Sequence, residues 1–298
     1  MSLQPANQNI RKLCSDPLFI SMMYNVVKYC IKVSRLPPNT TTVIGGAACM
    51  LYAYTIHERN MNTMKQTLLK ENVPLTSDID IAVWYDNIID HFIETNKRLE
   101  ESLREICKSE QLIQNLQGRI TKHFGEIRSC RLYVLPAKPF KNMTSTIKIH
   151  IVINDEDFSV VDIAIKNPIY SQPLINERQR ITKHVSENAT YTNKRNTMLL
   201  LIHSKNESDP TDKDEIVRVP TYRKFIEQQV LADSQTIDPA PEKHYKYNFR
   251  IMYLLKYARP YAEEPHAEEP HAEEPQAEGG RRTKKNKRSK RSKTRRRR

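Results

Sequence analysis

Three aspartates set into apolar, strand-like stretches constrain this chain more than any other feature, because carboxylates placed there must find partners. Val43-Ile44-Gly45-Gly46-Ala47-Ala48 reads as an apolar strand that ends in a glycine pair. Farther on, Thr76-Ser77-Asp78-Ile79-Asp80-Ile81-Ala82-Val83 alternates acids with apolar residues. Successive side chains of a strand point to opposite faces, so Asp78 and Asp80 share one side while Ile79, Ile81 and Val83 take the other. Val160-Val161-Asp162-Ile163-Ala164-Ile165 sets one more acid into an apolar run, where an unpaired carboxylate is costly to bury. If the two strands are neighbours, the three carboxylates converge.

That arrangement has a chemistry. A glycine pair at the end of a strand lets the backbone approach a phosphate, and the amides that open the following helix favour negative charge. Carboxylates cannot bind phosphate themselves. They hold magnesium or manganese, hard cations that take oxygen ligands and leave positions for substrate phosphates. Two such ions about 3.5–4 Å apart stabilise the attacking and leaving oxygens of an in-line displacement. Asp78, Asp80 and Asp162 are therefore the expected metal ligands and catalytic residues, and the combination reads as nucleotidyl transfer from a nucleoside triphosphate.

On these residues the chain resembles the polymerase-beta-type nucleotidyltransferase superfamily. Gly45-Gly46, Ser77-Asp78-Ile79-Asp80 and Asp162 stand where that superfamily has its glycine pair, its paired acids and its third acid. The resemblance implies that Asp78 and Asp80 bind both metals, and that Asp162 joins one of them and helps to activate the acceptor hydroxyl. It also implies nucleotide contacts at Gly45, Gly46 and Ser77. More narrowly, the chain is similar to catalytic subunits of poly(A) polymerases of the poxvirus and giant-virus type, which implies ATP as substrate and an RNA 3′ end as acceptor. The resemblance covers roughly residues 40–168. The chain departs from the pattern in its long connection from Gly46 to Asp78, and in Ala47, where many members have serine.

The expected fold is α+β: a mixed or antiparallel sheet with flanking helices over residues 40–168, preceded by an N-terminal helix within 1–39. A helical lobe follows over 169–259. Helices are predicted over Pro17–Ser34, over much of Ala47–Lys70, over Asp86–Gln117 with Gly118 as the stop, and over Asn188–His203, Asp212–Ala232 and Tyr245–Tyr257. Strands are predicted over Arg128–Leu135, Thr146–Ile153 and Phe158–Ile165, the last two as an antiparallel hairpin through Asn154-Asp155-Glu156-Asp157. In the second lobe, Tyr191, Lys194 and Arg195 open a helix where a cation meets a triphosphate and a ring stacks on a base. The plain alternative is a solvated first turn.

Charge divides the chain. Residues 281–298 hold 13 of the 48 Lys and Arg and no acid, whereas residues 262–278 hold seven glutamates and no Lys or Arg. The segment 260–280 repeats Ala-Glu-Glu-Pro-His and, past Tyr261, has no large apolar residue, so it is expected to be an extended linker. The basic tail 281–298 is expected to be disordered and suits a nucleic acid or an acidic partner, or serves as an address that includes the nucleus. Five widely spaced cysteines, with no Cys-x-x-Cys pair, speak for a reducing compartment. No apolar run approaches the ~18–20 residues of a membrane span, so no membrane partner is expected and an intracellular, cytoplasmic protein is. The alternative to the enzyme is a non-catalytic nucleic-acid-binding or scaffold protein that keeps the same fold.

Overall fold

A computed structural model describes residues 5–36, 39–85, 92–139, 145–166, 197–203, 215–234 and 241–258. All of them belong to one compact unit, Met1–Glu263. Tyr191, Lys194 and Arg195, the repeat segment 260–280 and the tail 281–298 lie outside the described residues. Among the described residues no helix is long and apolar enough to cross a membrane.

The architecture is mixed α+β, built on a mostly antiparallel sheet with flanking helices. Five strands lie in the order β1 (Asn39–Ile44), β2 (Ile79–Tyr85), β5 (Glu156–Lys166), β4 (Ser145–Ile153), β3 (Cys130–Pro139). Only β2 and β5 run parallel, and their register sets Asp80 directly opposite Asp162. Within β4, Ile147, Ile149 and Ile151 point into the core, while Lys148 and His150 point to the other face. The β4–β5 hairpin turns at Asn154 and Asp155, both with positive φ (49° and 68°), as a tight turn between twisted strands demands. A bulge interrupts the same pair: Ile149 faces Val161 and His150 faces Ser159, which leaves Val160 as the extra residue.

Helices cover the apolar face. The sequence reading did not anticipate α1 (Pro5–Cys14), which buries Ile10, Leu13 and Cys14 at helical spacing. The Asp16 carboxylate caps α2 (Pro17–Val33) by accepting from the Leu18 amide at 3.0 Å. Helix α3 (Gly45–Ile56) is buried almost all round, from Gly46 through Tyr54, and runs through the centre of the unit.

Four expectations in the first half need correction. Ala47–Lys70 is two helices, α3 and α4 (Met61–Lys70), because Glu58 and Arg59 take left-handed φ and Asn60 caps a new start by accepting from the Asn62 and Thr63 amides. The long helix over Asp86–Gln117 is also two, α5 (Phe92–Cys107) and α6 (Glu110–Phe124), with Ser109 at the second N-cap. Gly118 lies inside α6, and the stop is Gly125 at φ 76°. The strand carrying the first acids begins at Ile79, so Asp78 sits in the bend before it.

The largest correction concerns the second half, which is not purely helical. Thr197–His203 and Glu215–Pro220 are strands, β6 and β7, paired antiparallel. Thr197-Met-Leu-Leu-Leu-Ile-His is a short apolar run that periodicity alone cannot assign, and the β-branched partners Ile216, Val217 and Val219 decide it for strand. Pro220 ends β7, and α7 (Tyr222–Ser234) starts just beyond it. Helix α8 (Pro241–Tyr257) packs on α7 and starts four residues before the predicted Tyr245.

Candidate active site

Strand pairing assembles the site. Asp80 and Asp162 are cross-strand partners in the parallel pair, and the bend before β2 brings Asp78 to the same place. One ligand oxygen from each of the three lies within 4.8 Å of the others, and all three residues are half-buried. The bend is pinned from two sides. The Thr76 amide donates to Ser15 Oγ at 2.9 Å, and Thr76 Oγ1 donates to the Asp78 carbonyl at 2.8 Å. Ser77 Oγ donates to Asp78 Oδ1 and Ser159 Oγ to Asp162 Oδ1, each at 3.2 Å.

The glycine pair is required here for reasons of space. Gly45 has φ 60°, and a Cβ on it would come 2.6 Å from Asp80 Oδ2. A Cβ on Gly46 would come 2.6 Å from both Arg250 Nη2 and Thr76 Oγ1. The start of α3 is thus pressed against the second acid on one side and against a guanidinium on the other, with its free amides at the cluster.

Electrostatically, the cluster is short of positive charge. Burial, then Asp78, then Asp162 push the Asp80 carboxyl up from 3.8 to about 7, against the partial relief of Arg250 and Lys148. Asp162 has a cation already: Lys148 Nζ donates to its Oδ2 at 2.6 Å from the facing position on β4. Three crowded oxygen donors, one neutralised by an ammonium and one unwilling to ionise, fit a hard divalent cation.

Beside the acids opens a cavity of about 310 Å³, floored by Gly45, Gly46, Asp78 and Asp80. Its opposite wall is α8, which contributes Lys243, Lys246, Tyr247 and Arg250, with Gln229 of α7 beside them. Arg250 and Gln229 are buried, yet Arg250 Nε and Gln229 Oε1 have no hydrogen-bond partner among the described residues. Burial, together with the charges of Arg11 and Arg250, draws the Lys246 ammonium below the ordinary lysine value, against Glu242 and Asp78. Crowded cations on one wall and crowded carboxylates on the other leave room for an anion that carries its own metal.

Of the residues singled out in the sequence, the structure brings Asp78, Asp80, Asp162, Gly45, Gly46 and Ser77 together, whereas Lys194 lies outside the described residues. Sequence reasoning missed Lys148, Ser159, Gln229 and the α8 cations. The last had a signal, since Lys243, Lys246 and Arg250 recur at i, i+3 and i+7 and so share one helix face. Compared with known proteins, the chain matches no protein-family model and no curated protein.

Proposed function

We propose that the chain is a divalent-metal-dependent nucleotidyltransferase of the polymerase-beta type that adds adenylates to RNA 3′ ends. The observation that carries this reading is the convergence of Asp78, Asp80 and Asp162 within 4.8 Å at the glycine-pair start of α3. Magnesium or manganese, when bound by these carboxylates, supplies charge neutralisation at the phosphates and a more acidic hydroxyl.

The chain's own residues supply the rest. Gly45 and Gly46 admit phosphate oxygens close to the first amides of α3, where the helix dipole favours them. Lys243, Lys246 and Arg250 face the same cavity and balance the charge of a triphosphate and of the departing pyrophosphate. Arg250, pressed against Gly46, offers a planar fork suited to two phosphate oxygens. Asp162, which does not line that cavity, is held by Ser159 and Lys148, and there it accepts the proton of the acceptor hydroxyl.

An incorporation assay tests the proposal: labelled ATP, CTP, GTP and UTP, each with and without an RNA primer, in magnesium or manganese. Primer-dependent extension that favours ATP and disappears in Asp78→Ala and Asp80→Ala is the expected result. No extension with any of the four nucleotides would leave the fold as a binding scaffold.

A further inference from the structure

Resting on the transfer reading, one question remains open at this site: where the acceptor lies. Phosphoryl displacement keeps the attacking and leaving oxygens roughly in line, so the acceptor must enter opposite the pyrophosphate. The cationic α8 wall claims the pyrophosphate side. A second cavity, of about 340 Å³, in whose lining no described α8 residue takes part, opens between α1 and the start of β5. Asn7 and Arg11 line it from α1, and Ser77, Asp157 and Ser159 from the sheet side. The two cavities have only Ser77 in common among their described lining residues. Ser77 and Ser159 are the hydroxyls that hold Asp78 and Asp162, so the second cavity adjoins those two carboxylates.

From Ser159 the open face of the sheet continues across the strands. His150 is the cross-strand partner of Ser159, and Tyr133 is the partner of His150. The Tyr133 and His150 rings lie 5.2 Å apart between centroids. Asp157 fixes both, accepting from Tyr133 Oη at 2.5 Å and pairing with His150 Nδ1 at 3.0 Å. Arg131, two residues from Tyr133 on the same face, is exposed. The row thus offers a held aromatic ring flanked by Arg11 and Arg131, with Asp157 engaged by His150 and Lys148 paired with Asp162. A ring for a base and cations for the backbone are what single strands require of a binding surface.

We propose that this groove, from Arg11 past Ser159 to Tyr133 and Arg131, seats the 3′ end of a single-stranded polynucleotide, with Tyr133 as the stacking platform. Asp162 then stands at the terminal hydroxyl, and the nucleotides before it run over β4 and β3.

Crosslinking in EDTA tests the groove without any need for turnover. The full chain is irradiated with oligoadenylate RNA, or the matching DNA, carrying a 3′-terminal 4-thiopyrimidine, and adducts are mapped by mass spectrometry. Adducts on residues 7–11 and 131–159 are expected, with yield falling about tenfold or more in Arg131→Ala/Tyr133→Ala. Tyr133→Phe keeps the ring and should keep the yield, which separates stacking from a merely structural hydrogen bond. In the incorporation assay the double variant should raise KM for primer and leave KM for nucleotide unchanged. Adducts confined to residues 241–258 or 281–298, or an unchanged yield in the double variant, would overturn the groove. If incorporation fails while the adducts map as expected, the groove stands and the transfer reading falls. If incorporation succeeds with adducts elsewhere, only the groove falls. The RNA and DNA arms tell which sugar it takes.

Discussion

Asp80 is where the strain of the carboxylate cluster concentrates. Its folded value, about 7, lies above the ordinary 3.8, so the neutral form favours the fold. That contribution is complete below about pH 4 and is lost as pH rises through about 7. In EDTA, Asp80→Asn should therefore stabilise the protein at about pH 8, on the order of 2–4 kcal/mol, and do little at about pH 4. Thermal melts across that range check it, and coincident curves at the alkaline end would refute it. Magnesium should reverse the order by stabilising the wild type and not the variant, since a ligand that binds only the native state raises its melting temperature. Gly46→Ala tests the other flank. Its new methyl would meet Arg250 Nη2 at 2.6 Å and push the guanidinium off the cavity wall. A lost charge-assisted hydrogen bond is worth roughly 1.5–3 kcal/mol, so KM for nucleotide should rise about tenfold or more, with the melting temperature as a control for folding.

Between elements, Asp16 carries a load of the opposite sign. It caps α2 and meets His123 of α6 at 3.1 Å, with both side chains almost wholly buried. Burial opposes its ionisation, but the His123 hydrogen bond, the Leu18 amide and the charge of Arg119 outweigh that and hold its carboxyl below the usual value. This stability is present above the unfolded value and is lost as pH falls through the folded one. Asp16→Ala should cost roughly 3–5 kcal/mol near neutral pH by orphaning a buried partner and removing a cap, and the deficit should shrink in acid. Urea titrations at both pH values measure it. At this scale the sequence was legible where the signal was local. The Pro17 start of α2, the β4–β5 hairpin and the alternation around Asp80 and Asp162 all declared themselves. The breaks at Glu58-Arg59 and Ser109 did not, because backbone excursions at residues with ordinary helix propensity leave no mark in a hydrophobic pattern. Nor did β6, whose leucine run suits either state until Val217 and Val219 lie beside it. The carboxylates of the site were legible because acids in apolar strands are conspicuous. Lys148, Ser159 and Gln229 were not, since their meaning depends on what folds against them.

For the whole molecule, charge is the organising fact. Residues 281–298 carry 13 cations and no acid, apart from the rest of the chain by a run of glutamates. Deleting them should weaken RNA binding and flatten its salt dependence, while single-nucleotide addition at saturating primer hardly changes. Affinity measured over a series of salt concentrations decides the matter, and an unaltered slope would leave the tail an address. The described unit has a parity of its own. Ser159 and Asp162 are three residues apart, an odd step that in a regular strand would send them to opposite faces, yet they are hydrogen-bonded to each other. The surplus residue at Val160 absorbs the odd step. Everything upstream of it on β5, Asp157 and Ser159 included, is thereby brought into phase with the carboxylates. A chain that kept Val160 but paired without the bulge could hold its acids or its groove on the open face, but not both.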